Sequence, residues 1–119
     1  HIPARTVAGI RTHDMAPLAD VVAATDTSAY RARLGAAHGR HVDATWQAVV
    51  EEMLIRLAHS DAYMVMADLD DLVGETRPHN LPGRVVPGLW QRRLSRPTSE
   101  ILADPDVVRR LSILGRTTR

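Results

Sequence analysis

The sequence predicts an α/β architecture, mostly helical by residue count, on three observations. The run Thr6-Val7-Ala8-Gly9-Ile10-Arg11, compact, partly β-branched and flanked by Pro3 and Pro17, reads as a short buried strand. A second run, Ala62-Tyr63-Met64-Val65-Met66-Ala67, is continuously apolar and of strand length, the pattern of a strand covered on both faces in a parallel sheet. Between them, Trp46, Val49, Val50, Met53, Leu54 and Leu57 recur at the spacing of one helical face.

The first strand ends at Thr12-His13-Asp14. Asp26 or Thr27 then caps a helix through about His38, with Tyr30 and Leu34 on one face and Gly39 as its stop; Gly35 weakens it from inside. Asp43 is the next cap, opening a helix over about Ala44 to His59. After Ser60-Asp61 comes the second strand, closed by Asp68, Asp70 and Asp71 in a short helical turn that stops at Gly74. Glu75 to Leu89 holds Pro78, Pro82, Gly83, Pro87 and Gly88, which exclude regular structure; irregular stretches of that length are commonly binding loops. Trp90 to Leu94 reads as a helical turn, Pro97-Thr98 as a turn through Leu102, and Asp104-Pro105 as the cap of a last helix ending near Gly115. Residues 116–119 are expected to fray. Two strands alone cannot make a sheet buried on both faces. Either further strands come from outside this chain, or part of the strand reading is wrong and the domain is mostly helical.

Composition narrows the function classes. The 119 residues read as one segment, with no cysteine, which excludes a disulfide scaffold, a thiolate metal site and a cysteine nucleophile. No apolar run approaches a membrane span, and no signal pattern opens the chain, so a cytoplasmic, non-membrane protein is expected. Fifteen basic against 14 acidic residues leave a net charge of +1, without the basic excess of a nucleic-acid binder. Every basic residue is arginine, and these are expected on a solvated surface. The chain starts at His1, not methionine, which points to a piece of something longer.

Two places could carry chemistry. His13 and Asp14 put an imidazole and a carboxylate at the end of a strand, where barrel enzymes keep reacting groups; such a dipeptide also arises readily by chance. The loop His79-Asn80-Leu81-Pro82-Gly83 holds the sole asparagine, a two-way hydrogen-bonding side chain, and reads otherwise as a rigid surface turn. Trp90 beside that loop can stack on a sugar ring or simply pack, while Trp46 belongs to a core face.

Together these stretches resemble a known family. Asp68-Leu69-Asp70-Asp71-Leu72-Val73-Gly74-Glu75-Thr76-Arg77-Pro78-His79-Asn80-Leu81-Pro82-Gly83, then Trp90-Gln91-Arg92-Arg93-Leu94, is similar to the C-terminal end of the 4-α-glucanotransferases, the amylomaltases or disproportionating enzymes of glycoside hydrolase family 77. Gly9-Ile10-Arg11-Thr12-His13-Asp14 resembles the family's G-T-H-D stretch after the seventh barrel strand. The resemblance spans nearly the whole chain and is densest from Ala62 to Leu94. It departs at Met15, where the family often has asparagine, and at Arg84, where threonine is more usual.

The resemblance implies the C-terminal part of a (β/α)8 barrel, about two strands with three to four helices. It implies transfer of α-1,4-glucan segments to a 4-hydroxyl by a retaining double displacement, with no cofactor and no metal. Asp14 would be the third carboxylate, stabilising the transition state. His13, Asn80, Pro82, Gly83 and Trp90 would bind substrate, a maltooligosaccharide or α-1,4-glucan, with Asn80 on the acceptor side. The nucleophile and acid/base belong to earlier strands, so the isolated chain is expected to be inactive, and its strand edges to favour self-association.

Two readings from other classes stay open. A helical metal phosphohydrolase would add His38, His41 or His59 to the His-Asp pair. A noncatalytic interaction module would use Arg92-Arg93 and Arg109-Arg110, which fit equally well as solvated helix faces.

Overall fold

A computed structural model describes residues 2–115. Among these residues the chain forms two parallel strands and six helices: β1 (Val7–Gly9), α1 (Leu18–Ala24), α2 (Ser28–Ala36), α3 (Trp46–Ala58), β2 (Met64–Met66), α4 (Leu69–Val73), α5 (Thr98–Ala103) and α6 (Pro105–Gly115). The predicted frayed tail, 116–119, lies outside the described residues. None of the helices described is long and apolar enough to cross a membrane.

Both predicted strands exist, and both are shorter than expected. They pair in parallel, Val7 with Met64, Ala8 with Val65 and Gly9 with Met66. Side chains alternate along a strand, and here Ala8 and Val65 are half-buried while Val7, Met64 and Met66 are more than half exposed. The expectation of a sheet covered on both faces is therefore corrected. Because the strands are parallel neighbours, their C-terminal ends lie at the same end of the sheet, so the segments after Gly9 and after Met66 emerge side by side.

Helix α3 is the centre of the packing and contacts α1, α2 and α6. Its Val50 and Leu54 join Leu72, Ile101 and Val107 in the main cluster, and Val49 joins Leu34 and Val42 in a second. Its cap is Thr45, whose Oγ1 accepts the Ala48 N–H at 3.2 Å, and not the expected Asp43, which lies exposed beside His41. The hydroxyl one residue before the first turn reaches the free N–H groups directly. Gly35 stands inside α2 because the chain returns over it. A Cβ there would come within 2.0 Å of the Arg40 carbonyl oxygen, and the Arg40 N–H bonds the Gly35 carbonyl at 3.1 Å.

Other expectations change in the same way. Helix α1 was not foreseen; its first N–H, from Leu18, donates to Asp71 Oδ1 at 2.9 Å, a partner 53 residues away. Trp90 to Leu94 is not helical, because Trp90 takes φ 61° and its N–H is bonded to the His79 carbonyl at 3.0 Å. The turn after Pro97 continues as α5. Asp104 does open the last helix, accepting the Asp106 N–H at 2.9 Å.

Helix α6 docks on α3 through charge as well as apolar contact. Arg109 donates to Glu51 at 2.6 Å, and Arg110 donates to the Leu72 carbonyl at 2.8 Å with its guanidinium 4.7 Å from the Trp46 ring. Trp46 also packs against Gly74, which ends α4 at φ 74° as expected.

Two predictions follow from this packing. A Cβ at Gly74 would lie 2.4 Å from Trp46 Cζ2, so Gly74→Ala adds a core clash to left-handed strain. It is expected to cost about 2–4 kcal/mol, against about 1–2 for Gly83→Ala, which shares the φ but faces open space, as read by urea denaturation. The Arg109 hydrogen bond holds the Glu51 carboxyl below the ordinary glutamate range. Folding then gains from this pair above that range and loses the gain as pH falls through the depressed value. Glu51→Gln should flatten that acid limb in a stability-versus-pH series.

Candidate functional site

The turn after β1 carries His13 and Asp14 into solvent, and Arg11 shapes it from beneath. Arg11 Nη1 donates to the carbonyls of Thr12 (3.3 Å) and Met15 (3.4 Å), which bracket the pair, and the Met15 N–H closes back on Thr12 at 3.1 Å. Met15 enters through its carbonyl while its side chain points outward, so the turn tolerates the departure from asparagine noted at this position.

The long irregular stretch, which runs on to Pro97, meets this turn. Asn80 Nδ2 donates to Asp14 Oδ1 at 2.7 Å, across 66 residues of sequence. His13 Nε2 lies 3.4 Å from the same oxygen, and the His13 ring stands 5.1 Å from Trp90 at an interplanar angle of 56°. Four of the six predicted site residues thus form one cluster. Pro82 and Gly83 sit at the next reversal, where Gly83 takes φ 74° and the Arg84 N–H bonds the Leu81 carbonyl; their contribution is backbone shape. Both contacts of Asp14 use Oδ1, and its side chain is 51% exposed, so the carboxylate keeps acceptor capacity facing solvent. An open carboxylate, an amide, an imidazole and a half-exposed indole suit a ligand that offers hydroxyl donors and an apolar ring face.

Beneath the cluster lies a buried charged layer that sequence reasoning missed. Arg11 Nε donates to Asp71 at 2.8 Å, and Arg11 Nη2 lies 3.2 Å from Asp68 and 3.5 Å from Asp70. Arg92 Nη2 donates to the same Asp70 oxygen and reaches His79 Nε2 at 2.7 Å, while Arg92 Nη1 lies 3.2 Å from Glu75. A guanidinium only donates, so its bond to His79 uses the Nε2 lone pair. Side-chain exposure is 2% for Arg11 and 6% for Arg92. The expected solvated surface therefore fails for these two and for Arg110, and Arg92-Arg93 is no helix face. The available signal was the acidic density of Asp68, Asp70, Asp71 and Glu75 in a partly apolar stretch, which demands cations nearby. Burial pushes the Asp71 carboxyl up, against the Leu18 N–H and Arg11, which pull it down.

His38, His41 and His59 are engaged elsewhere. His38 Nε2 lies 3.4 Å from buried Glu52, and its ring faces His59 at 6.0 Å, while His41 pairs with Asp43. Among the described residues no group of three or more His, Asp or Glu is arranged to hold a metal ion. Compared with known proteins, residues 1–99 match a family model described as 4-alpha-glucanotransferase, glycoside hydrolase family 77. No curated protein matches the chain.

The two adjacent arginines should separate cleanly on mutation. Arg92→Leu removes the guanidinium that buried Asp70 and Glu75 share and is expected to cost about 3–5 kcal/mol in chemical denaturation. Arg93→Leu, on the exposed side, should stay within about 0.5 kcal/mol.

Proposed function

The chain belongs to the 4-alpha-glucanotransferase family, and from that premise we propose that it is the C-terminal part of a (β/α)8 catalytic barrel acting on α-1,4-glucans. In this reading β1 and β2 are the last two barrel strands, and the exposed faces of Val7, Met64 and Met66 are where the rest of the barrel would pack. The unpaired edges of the two-stranded sheet favour self-association of the isolated chain. A cytoplasmic location belongs to the proposal.

The observation that carries it is the Asn80–Asp14 hydrogen bond. It joins the turn after one strand to the loop after its parallel neighbour, at the C-terminal end of the sheet where barrel enzymes hold their substrates. The reaction is a retaining double displacement. A nucleophilic carboxylate attacks the anomeric carbon, the glycosidic bond breaks, and the acid/base protonates the departing oxygen. The acceptor's 4-hydroxyl then attacks the glycosyl ester, its proton passing to the acid/base and the nucleophile leaving as carboxylate.

Asp14 is neither of those two groups. Its role is to accept hydrogen bonds from the hydroxyls of the transferred sugar, which become better donors as positive charge grows at the ring, so it binds the transition state more tightly than the substrate. Asn80 orients Asp14 and donates or accepts toward the acceptor sugar, His13 adds a second polar contact, and Trp90 offers its face to a ring. Pro82 and Gly83 hold the loop that presents Asn80.

The test is glucose release from maltotriose by the protein that contains the complete barrel, beside its Asp14→Asn variant. Turnover is expected to fall by on the order of 10³ while the variant stays folded. The 119-residue chain alone is expected to release none above a heat-killed control. A parent that does not disproportionate maltotriose, or an Asp14→Asn variant with normal turnover, overturns the reading.

A further inference from the structure

Two separate segments must be held at one distance for Asn80 to reach Asp14, and a single buried oxygen touches the supports of both. Asp70 is 1% exposed, and its Oδ2 accepts from Arg11 Nη2 at 3.5 Å and from Arg92 Nη2, which also donates to His79 Nε2. Arg11 in turn donates to the carbonyls on either side of His13-Asp14. On the other side, Arg92 contacts His79, the residue before Asn80, and the His79 carbonyl accepts the Trp90 N–H. All these neighbours gather on Oδ2, while Oδ1 is buried without a hydrogen-bond partner among the described residues. The carboxylate sits where the supports of the two loops meet.

We infer that Asp70 is a positioning residue: through Arg11 and through Arg92 with His79, it sets the spacing between the Asp14 turn and the Asn80–Trp90 loop, and so the shape of the sugar-binding cluster. The inference rests on the reading of that cluster as a glucan site, but the geometry it asserts can be measured without any turnover. Exposed loops have few contacts of their own to hold them, so their relative placement comes from the buried layer below.

Asn80 is the sole asparagine, so selective ¹⁵N-asparagine labelling of the 119-residue chain yields one side-chain amide pair that reports its bond to Asp14 directly. Asp14→Ala sets the position of the unbonded signal. Asp70→Asn, nearly isosteric, is expected to move the pair at least half of the way to that position in a protein that still unfolds cooperatively. Glu52→Gln serves as the comparison, since Glu52, on α3, is a fully buried carboxylate paired with Arg40; it should lower stability and leave the Asn80 signal in place. Should Asp70→Asn fail to fold, Arg92→Lys keeps the charge, loses the fork, and is expected to move the signal in the same direction.

A folded Asp70→Asn or Arg92→Lys protein with Asn80 at its wild-type position overturns the inference, as does an equal movement in Glu52→Gln. Maltotriose titration of the labelled, unsubstituted 119-residue chain separates the two layers of argument. If the sugar leaves the Asn80 pair unmoved, the glucan reading of this cluster fails, while the response to Asp70→Asn still decides the positioning role.

Discussion

Four carboxylates and two guanidiniums share the space under the loops, and everything at this end of the sheet is built around keeping them paired. Asp68, Asp70, Asp71 and Glu75 are set against Arg11 and Arg92, with His79 at the margin. Ions taken from water lose several kcal/mol of hydration each, and only close, well-directed partners return it. The layer therefore does more than add stability. It dictates where Arg11 and Arg92 must be, and with them the backbone on either side of each. Asp71 shows how tightly the roles overlap: one oxygen takes Arg11 Nε and the other takes the first N–H of α1, so a helix start and a strand end depend on the same side chain. Because burial raises the Asp71 carboxyl while the Arg109 bond lowers that of Glu51, the two acids favour folding in opposite directions of pH.

A different constraint governs the other half of the molecule. Helix α3 has neighbours on most of its sides, and space around it is rationed at two glycines. Gly35 lets the Arg40 carbonyl come down onto α2, which brings Arg40 to Glu52 on α3. Gly74 lets Trp46 pack closely against the end of α4, where the indole also meets Arg110 of α6. In both cases a missing Cβ allows an aromatic or backbone group to approach, and a buried charge is then placed against it. The core clusters around Val50, Leu54, Ile101 and Val107 supply the apolar contact that these placements complete.

The contrast between layers explains how the cluster can be both defined and open. His13, Asp14 and Trp90 are more than half exposed, whereas Arg11, Asp70 and Asp71 beneath them are almost completely covered. Exposed groups can exchange solvent for a ligand at little desolvation cost, and buried ion pairs hold them in register while they do so. The matched family is that of the 4-alpha-glucanotransferases, and the contacts bring a carboxylate, an amide, an imidazole and an indole onto one surface.

What the sequence by itself determined was whatever a few neighbouring residues decide. The two strands, the body of α3, the αL stop at Gly74, the opening of α6 at Asp104 and the irregular run from Glu75 were all legible, since apolar spacing, a carboxylate two residues ahead, or a glycine acts within about one turn of chain. The motifs around Asp14 and Asn80 also marked the residues that prove to be neighbours. Only the tertiary structure decided that Leu18 begins a helix, that Arg11 and Arg92 are interior, that one face of the sheet stays uncovered, and that Asn80 donates to Asp14. Each of these depends on groups 50 to 70 residues apart or on which surfaces meet. Hydrogen-bond and ion-pair energies act only at contact distance, and nothing local in a chain states which distant side chain will arrive there.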